Sequence, residues 1–180
     1  MFPLPAKQGE GQGGGFFRMS RLHSFIQRVQ AQLVCLDEAA RLIEDVPGIV
    51  LELGLGNGRT YDHLREILPD RQIYVFDREI ASHPDSRPDA DHAILGDFRE
   101  TIPRAARRFP GKVALIHGDI GSGNKEATLL LARTLAPMLP PLLAPGAIVV
   151  SDQKLEIPRT TPVTLPGDLH EGRYYMVRNG

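Results

Sequence analysis

The chain has 180 residues, of which 42% are hydrophobic and 24% are charged, and its formal net charge is −1. This length suits one globular domain with a buried core, and so small a net charge excludes a global field that would attract nucleic acid or an anionic membrane. The single cysteine, Cys35, excludes an intramolecular disulfide and an all-cysteine metal site, and it favours a reducing, cytoplasmic location.

The first residues differ in character from the rest of the chain. Residues 1–18 are rich in Gly, Pro and Gln, which predicts a flexible tail, and they lack the pattern of a secretory signal. Either Met1 or Met19 is compatible with the natural start. We expect residues 19–180 to form one domain, and no apolar run approaches the ~18 residues that a transmembrane helix needs.

A long helix is predicted next, over residues 19–46, because apolar side chains recur there at intervals of three and four residues. The apolar stripe consists of Leu22, Phe25, Ile26, Val29, Leu33, Leu36 and Ile43. The polar side of this helix, which includes Arg28, faces either solvent or a bound acceptor.

Strands and helices then alternate. Strands are predicted over residues 49–53, 72–77, 92–95, 112–117 and 147–151, and helices over residues 59–68, 98–109 and 125–138. Residues 82–91 predict a loop with at most a short helical turn. Right-handed crossovers between such strands give a doubly wound, mostly parallel sheet with helices on both faces. The remaining residues have room for a β-hairpin, residues 160–165 with 172–178, but not for another crossover helix.

The strongest chemical signal is a glycine-rich loop between the first predicted strand and its helix. Its sequence is Glu52-Leu53-Gly54-Leu55-Gly56-Asn57-Gly58. Alternating glycines permit a tight turn and close approach of a ligand, and the helix N-terminus offers N–H groups to an anion. Glu52 suits an ammonium group and would repel a pyrophosphate. A nicotinamide-binding loop would want glycine at position 59, which is Arg59.

This loop resembles motif I of class I S-adenosylmethionine-dependent methyltransferases, and the resemblance continues from Gly48 to Asp152. It implies a Rossmann-like methyltransferase fold and S-adenosyl-L-methionine as cofactor. In the family, an acidic residue at the position of Asp77 accepts from the ribose hydroxyls. An acidic residue at the position of Asp97 accepts from the adenine amine, and the residue after it packs on the ring. The implied cofactor-binding residues are Glu52, Gly54, Gly56, Asn57, Gly58, Thr60, Asp77, Arg78, Asp97, Phe98 and His117.

The candidate catalytic residues are His117 and Asp119, which resemble the motif IV position beside the transferred methyl group. Two residues have structural alternatives. His117 is also compatible with a hydrogen-bonded histidine at a strand end. Asp97 is also compatible with an N-cap, with Glu100 completing a capping box.

A metal site is the weaker of two interpretations for the loops after the fourth and fifth predicted strands. Asp119, Asp152 and Gln153 resemble the metal site of catechol-type O-methyltransferases, in which Asn stands at the position of Gln153. The longer side chain disfavours a third ligand, so we predict no metal, and the two carboxylates are otherwise polar loop residues.

The resemblance implies transfer of a methyl group from S-adenosylmethionine to an acceptor. The segment after the fourth predicted strand lacks the Asn/Asp-Pro-Pro-Tyr/Phe pattern of enzymes that methylate exocyclic base amines, so no nucleic-acid partner is expected. The larger families' substrate-binding insertions are missing, which favours a small-molecule acceptor. A non-catalytic S-adenosylmethionine-binding protein is the alternative, and a homo-oligomer remains open.

Overall fold

The computed structural model describes residues 20–167, 169 and 172–180. The predicted flexible tail, residues 1–18, lies outside the described residues. Among the residues described, none of the helices combines the length and apolar character needed to cross a membrane.

Four α-helices and seven strands are found within the described part of the chain. The helices are α1 (Arg21–Leu42), α2 (Arg59–Ile67), α3 (Phe98–Arg108) and α4 (Lys125–Leu135). The strands are β1 (Ile49–Leu53), β2 (Ile73–Asp77), β3 (Ala93–Leu95), β4 (Val113–Gly118), β5 (Leu143–Ser151), β6 (Thr160–Pro162) and β7 (Tyr175–Asn179). Short 3-10 helices lie at Pro84–Ser86, Ala136–Met138 and Pro140–Leu142.

The strands form one mostly parallel sheet, as the alternating pattern predicts, and their order is β3-β2-β1-β4-β5-β7-β6. The first five strands are parallel, and β7 lies antiparallel between β5 and β6. Between β1 and β4 the register sets Glu52 beside His117. Apolar clusters cover both faces of the sheet, one with α1 and α2 and the other with α3 and α4.

Helix α4 ends earlier than the sequence predicts. The apolar pattern continues to residue 138, but the α-helix ends at Leu135 and a 3-10 turn follows. Pro137 explains the difference, because proline has no N–H to donate to the carbonyl four residues before it.

The N-terminal half of α1 is more exposed than its apolar stripe predicts. Leu36 and Ile43 are buried, whereas Leu22 is 68% exposed and Ile26 is 50% exposed. A helix of 22 residues is about 33 Å long, and a five-residue strand spans only about 17 Å. A short connection joins the C-terminus of α1 to the start of β1. Because the helix is longer than the strand, its N-terminal part extends beyond the carboxyl end of the strand. Its N-terminal turns therefore overhang the edge of the sheet that carries the glycine loop.

Candidate active site

The glycine loop lies at the carboxyl end of β1, and its glycines have different surroundings. Gly54 packs against the backbone carbonyl of Asp119. Gly58 has φ +84°, and a Cβ there would clash with Ser82 and Ser86. Gly56 has φ +51°, and a Cβ there would meet no atom within 4 Å. Gly56 is therefore the motif glycine that faces open space.

A cavity of about 260 Å³ adjoins this loop. Three elements besides the loop contribute to it: α1, the first turn of α2 and the segment after β4. The lining residues are Arg28, Gln32, Gly54, Leu55, Gly56, Asn57, Arg59, Thr60, Asp119 and Gly121. The cavity thus brings two guanidinium groups and a carboxylate to the N-terminus of α2, where the helix dipole is positive.

Asp77 ends β2 and holds the glycine loop in place. Its Oδ2 accepts hydrogen bonds from the backbone N–H of Leu55 at 2.7 Å and of Gly56 at 3.3 Å. Its Oδ1 accepts from the N–H of Arg78 at 2.6 Å. An ionised carboxylate has about four acceptor positions, so these bonds leave about one for a ligand.

Asp97 is the N-cap of α3, which confirms the first part of the structural alternative for this residue, and the capping box with Glu100 stays a prediction. Its side chain accepts from the N–H of Arg99 at 2.9 Å, and the Arg99 guanidinium donates to both carboxylate oxygens. These bonds hold the pKa of Asp97 well below its usual range. Arg78 lies 3.7 Å from the same carboxylate and is mostly exposed, and Phe98 is half-buried against the core.

Glu52 and His117 lie in the interior rather than in the cavity. Both are completely buried, and the Glu52 carboxylate accepts from the Thr60 hydroxyl at 2.5 Å and bonds His117 Nδ1 at 2.6 Å. His117 Nε2 bonds the Tyr174 hydroxyl at 2.8 Å. Both ring nitrogens are occupied, as the alternative of a hydrogen-bonded histidine at a strand end predicts. Burial keeps the ring away from the cavity, where the catalytic role predicted from the sequence would require it. Glu52 likewise reaches the cavity only through Thr60.

Asp119 is the half-buried carboxylate that lines the cavity. Its Oδ2 accepts from Gln32 Nε2 at 2.8 Å and lies 3.5 Å from Arg28 Nη1, and 23% of its side chain is exposed. Both partners belong to the overhanging part of α1. Asp119 is therefore placed where a bound molecule would meet a negative charge.

Asp152 follows β5, and its carboxylate accepts hydrogen bonds from backbone N–H groups near Asp119. Its two oxygens accept from the N–H groups of Ile120 and Gly121 at 3.0 and 3.1 Å, and Gln153 Nε2 donates to it at 3.0 Å. Burial raises the pKa of the Asp152 carboxyl. Within the described residues, no group of three or more His, Cys, Asp or Glu side chains is arranged to hold a metal ion.

The sequence prediction missed Tyr174 and Gln32. Tyr174 is 57 residues from His117, and Gln32 is 87 residues from Asp119. Neither belongs to a local motif, so only the folded chain brings them to the site. The one sequence signal for this region is the polar side of α1, which includes Arg28 and for which the sequence predicts contact with either solvent or an acceptor.

Comparison with known proteins gives a consistent result. A family model for S-adenosyl-L-methionine methyltransferases matches residues 19–179. No curated protein sequence matches the chain. A crystal structure of an S-adenosyl-L-methionine methyl transferase from Silicibacter pomeroyi is 42% identical, covers 91% of this chain and 100% of that chain, and superposes with a TM-score of 0.87.

More distant structures share the fold. A putative caffeoyl-CoA O-methyltransferase from Staphylococcus aureus is 14% identical, with a TM-score of 0.55 over 87% of this chain and 92% of that chain. Human methyltransferase-like protein 13 in complex with SAH is 12% identical, with a TM-score of 0.50 over 86% of this chain and 81% of that chain. These likenesses confirm the predicted Rossmann-like fold.

Proposed function

This chain belongs to the S-adenosyl-L-methionine methyltransferase family, and we propose that it methylates a small-molecule acceptor at the cavity beside the glycine loop. It is a methyltransferase that uses S-adenosyl-L-methionine, as the sequence predicts. The observation that carries the proposal is the open space in front of Gly56, at a helix N-terminus flanked by charges of both signs.

The cavity fits the methionyl end of the cofactor, which carries an ammonium group and a carboxylate. Asp119, which lines the cavity, supplies the negative charge for the ammonium group, in place of the buried Glu52. Arg28 and Arg59, with the N-terminus of α2, supply the positive side for the carboxylate. Asn57 and Thr60 add polar groups at the same end.

The nucleoside end is assigned to the carboxyl ends of β2 and β3. Asp77 retains about one acceptor position for a ribose hydroxyl after its bonds to the loop. Asp97, Phe98 and Arg78 follow β3 and β2 on the same edge of the sheet, which suits an adenine contact.

The sulfonium of the cofactor supplies an activated methyl group, so the protein has to align the acceptor and exclude water. The overhanging turns of α1 cover one side of the cavity through the bonds of Arg28 and Gln32 to Asp119. Asp119 is also the group placed to take a proton from an acceptor that arrives protonated. His117 is too deeply buried for that step and instead orients Glu52.

A small molecule suits this site better than a nucleic acid. The net charge is −1, and the cavity mixes charges of both signs instead of presenting a basic surface. Cys35 is a buried free thiol, which suits a reducing compartment, and we propose the cytoplasm on that basis.

Incubation with S-adenosylmethionine carrying a labelled methyl group tests the acceptor class. We expect label to move into a small-molecule fraction of a metabolite pool, with S-adenosylhomocysteine formed in equal amount. The same reaction with excess S-adenosylhomocysteine is the control and should be inhibited. Label that appears only in protein or nucleic acid would contradict a small-molecule acceptor.

Asp77→Ala should weaken S-adenosylhomocysteine binding by about 2–4 kcal/mol, because charge-assisted bonds to the ribose and to the loop are lost together. Isothermal titration calorimetry measures the effect. Asp70→Ala is the matched control, since Asp70 is exposed and lies at the other end of β2. Equal dissociation constants for the Asp77→Ala variant and the unmodified protein would show that Asp77 does not serve the cofactor.

A further inference from the structure

A continuous chain of buried hydrogen bonds runs under the active site. It connects the side chains of Thr60, Glu52, His117 and Tyr174, and the three bonds measure 2.5, 2.6 and 2.8 Å. Glu52 and His117 are 0% exposed and Tyr174 is 1% exposed. Thr60 alone reaches the cavity.

These four residues come from four separate parts of the fold. Thr60 is in the first turn of α2, Glu52 is in β1, His117 is in β4 and Tyr174 comes directly before β7. The chain therefore crosses from the glycine loop to the C-terminal hairpin. Every buried side-chain nitrogen and oxygen in the described residues has a hydrogen-bond partner.

Stability alone does not explain such a network. Replacing a buried ion pair by well-packed apolar residues is often neutral or stabilising, so a core has no general need of one. A fully satisfied network does fix the relative orientation of the groups it joins, because each member loses a partner if another moves. The network therefore fixes the orientation of the Thr60 hydroxyl, which is the end of the network that reaches the cavity.

The hairpin has a second connection to the same cavity. Arg173, beside Tyr174, donates hydrogen bonds to Ser24 and Gln27 of α1. The same helix carries Arg28 and Gln32 into the cavity. The segment before β7 is therefore connected to α1 through Arg173 and, through the buried network, to the first turn of α2. Both helices line the cavity.

We infer that His117 and Tyr174 are positioning residues for the cofactor. The bond between Tyr174 of the C-terminal hairpin and His117 fixes the His117 ring, the ring fixes the Glu52 carboxylate, and the carboxylate orients the Thr60 hydroxyl toward the methionyl end. This inference rests on the proposed cofactor site. It assigns a role in binding to two residues that touch neither cofactor nor acceptor.

The charge state of His117 is consistent with this role. Burial acts to lower the pKa of His117, but the bonded Glu52 carboxylate, with Asp119 and Asp152 nearby, raises it more, so it lies above the ordinary 6.5. Burial raises the pKa of the Tyr174 hydroxyl far above its usual range, so that group stays protonated. The ring is thus held between a carboxylate and a neutral hydroxyl.

Tyr174→Phe tests the inference by removing one oxygen atom, which bonds His117 and also interacts with the Gln32 side chain at the cavity wall. We expect affinity for S-adenosylhomocysteine to fall about tenfold, because the Thr60 hydroxyl is then less firmly oriented and its bond to the ligand is weakened by about the worth of one ordinary hydrogen bond. Affinity for 5′-methylthioadenosine, which lacks the methionyl end, should stay unchanged. Tyr175→Phe is the matched control, because Tyr175 is the adjacent tyrosine and lies outside the network.

A second variant cuts the network at its exposed end. Thr60→Val should show the same selective loss of S-adenosylhomocysteine affinity, and Thr60→Ser should restore it, because serine keeps the hydroxyl that bonds Glu52. The double variant separates the network from direct contact of Thr60 with the ligand. Adding Tyr174→Phe to Thr60→Val should weaken binding no further, because both changes act through the same hydroxyl, whereas a further loss would place the effect of Tyr174 on Gln32 and Asp119 and overturn the inference. Thermal unfolding without ligand measures folding separately.

The outcomes separate the inference from the cofactor site itself. Equal weakening toward both ligands, or no weakening toward either, would overturn the positioning role while leaving the site in place. An unmodified protein that binds neither ligand would overturn the proposed site. Selective weakening in both Tyr174→Phe and Thr60→Val, with Tyr175→Phe unchanged, supports the inference.

Discussion

Gly56→Val is expected to abolish S-adenosylhomocysteine binding while the fold survives. A Cβ at Gly56 meets no protein atom within 4 Å, so a side chain there enters the open space in front of the loop. That space is where the cofactor is assigned, and three added carbon atoms would occupy it. The surrounding strand and helix do not depend on this position for packing.

The backbone cost of this change has to be measured separately. Gly56 has φ +51°, and a β-branched residue in that region strains the backbone by about 1–3 kcal/mol. Gly111→Val is the matched control: Gly111 has φ +64° and likewise no atom within 4 Å of a Cβ, but it lies outside the cavity. Both variants should show a similar loss in thermal unfolding, and only Gly56→Val should lose binding by calorimetry. Normal binding by folded Gly56→Val would make the glycine purely structural.

The local signals in the sequence predicted the framework of the site. The strand at residues 49–53 is confirmed with the same bounds, because a short apolar run between Gly48 and Gly54 has clear limits. The loop that follows it turns into α2 at Arg59, as its glycines and the helical pattern predict. These features depend on residues that are close together in the chain, so local sequence patterns can predict them.

The same sequence did not predict where two key side chains point. Glu52 was expected to face an ammonium group, yet it faces the interior, because its partner His117 lies beside it in the β1–β4 register. The carboxylate that lines the cavity is instead Asp119, which accepts a hydrogen bond from Gln32 of α1. Each outcome depends on contacts between residues at least 65 positions apart. The periodicity of one sequence predicts local structure and does not indicate which distant residues come into contact.

Glu52→Leu should destabilise the protein by about 3–5 kcal/mol, because it removes one member of a buried pair and leaves the other uncompensated. His117 would keep its bond to Tyr174 but lose the carboxylate that holds its proton. Urea unfolding at pH 6 measures the loss. The double variant Glu52→Leu with His117→Leu should recover much of it, since neither charge is then left unpaired.

The pH dependence of this effect has a definite sign. The folded-state pKa of His117 is raised above 6.5, so the stability that the pair contributes is fully present below pH 6.5 and is lost as the pH rises through the folded-state value. The difference in unfolding free energy between the unmodified protein and the double variant should therefore move in favour of the double variant from pH 6 to pH 9. The groups that face the ring, namely Glu52, Asp119, Asp152 and Tyr174, come from β1, the segments after β4 and β5, and the segment before β7. A difference that stays constant over this range would mean that the folded-state pKa of His117 is not raised. A difference that moves in favour of the unmodified protein would mean that His117 is neutral when folded, joined to Glu52 by a plain hydrogen bond without an ion pair.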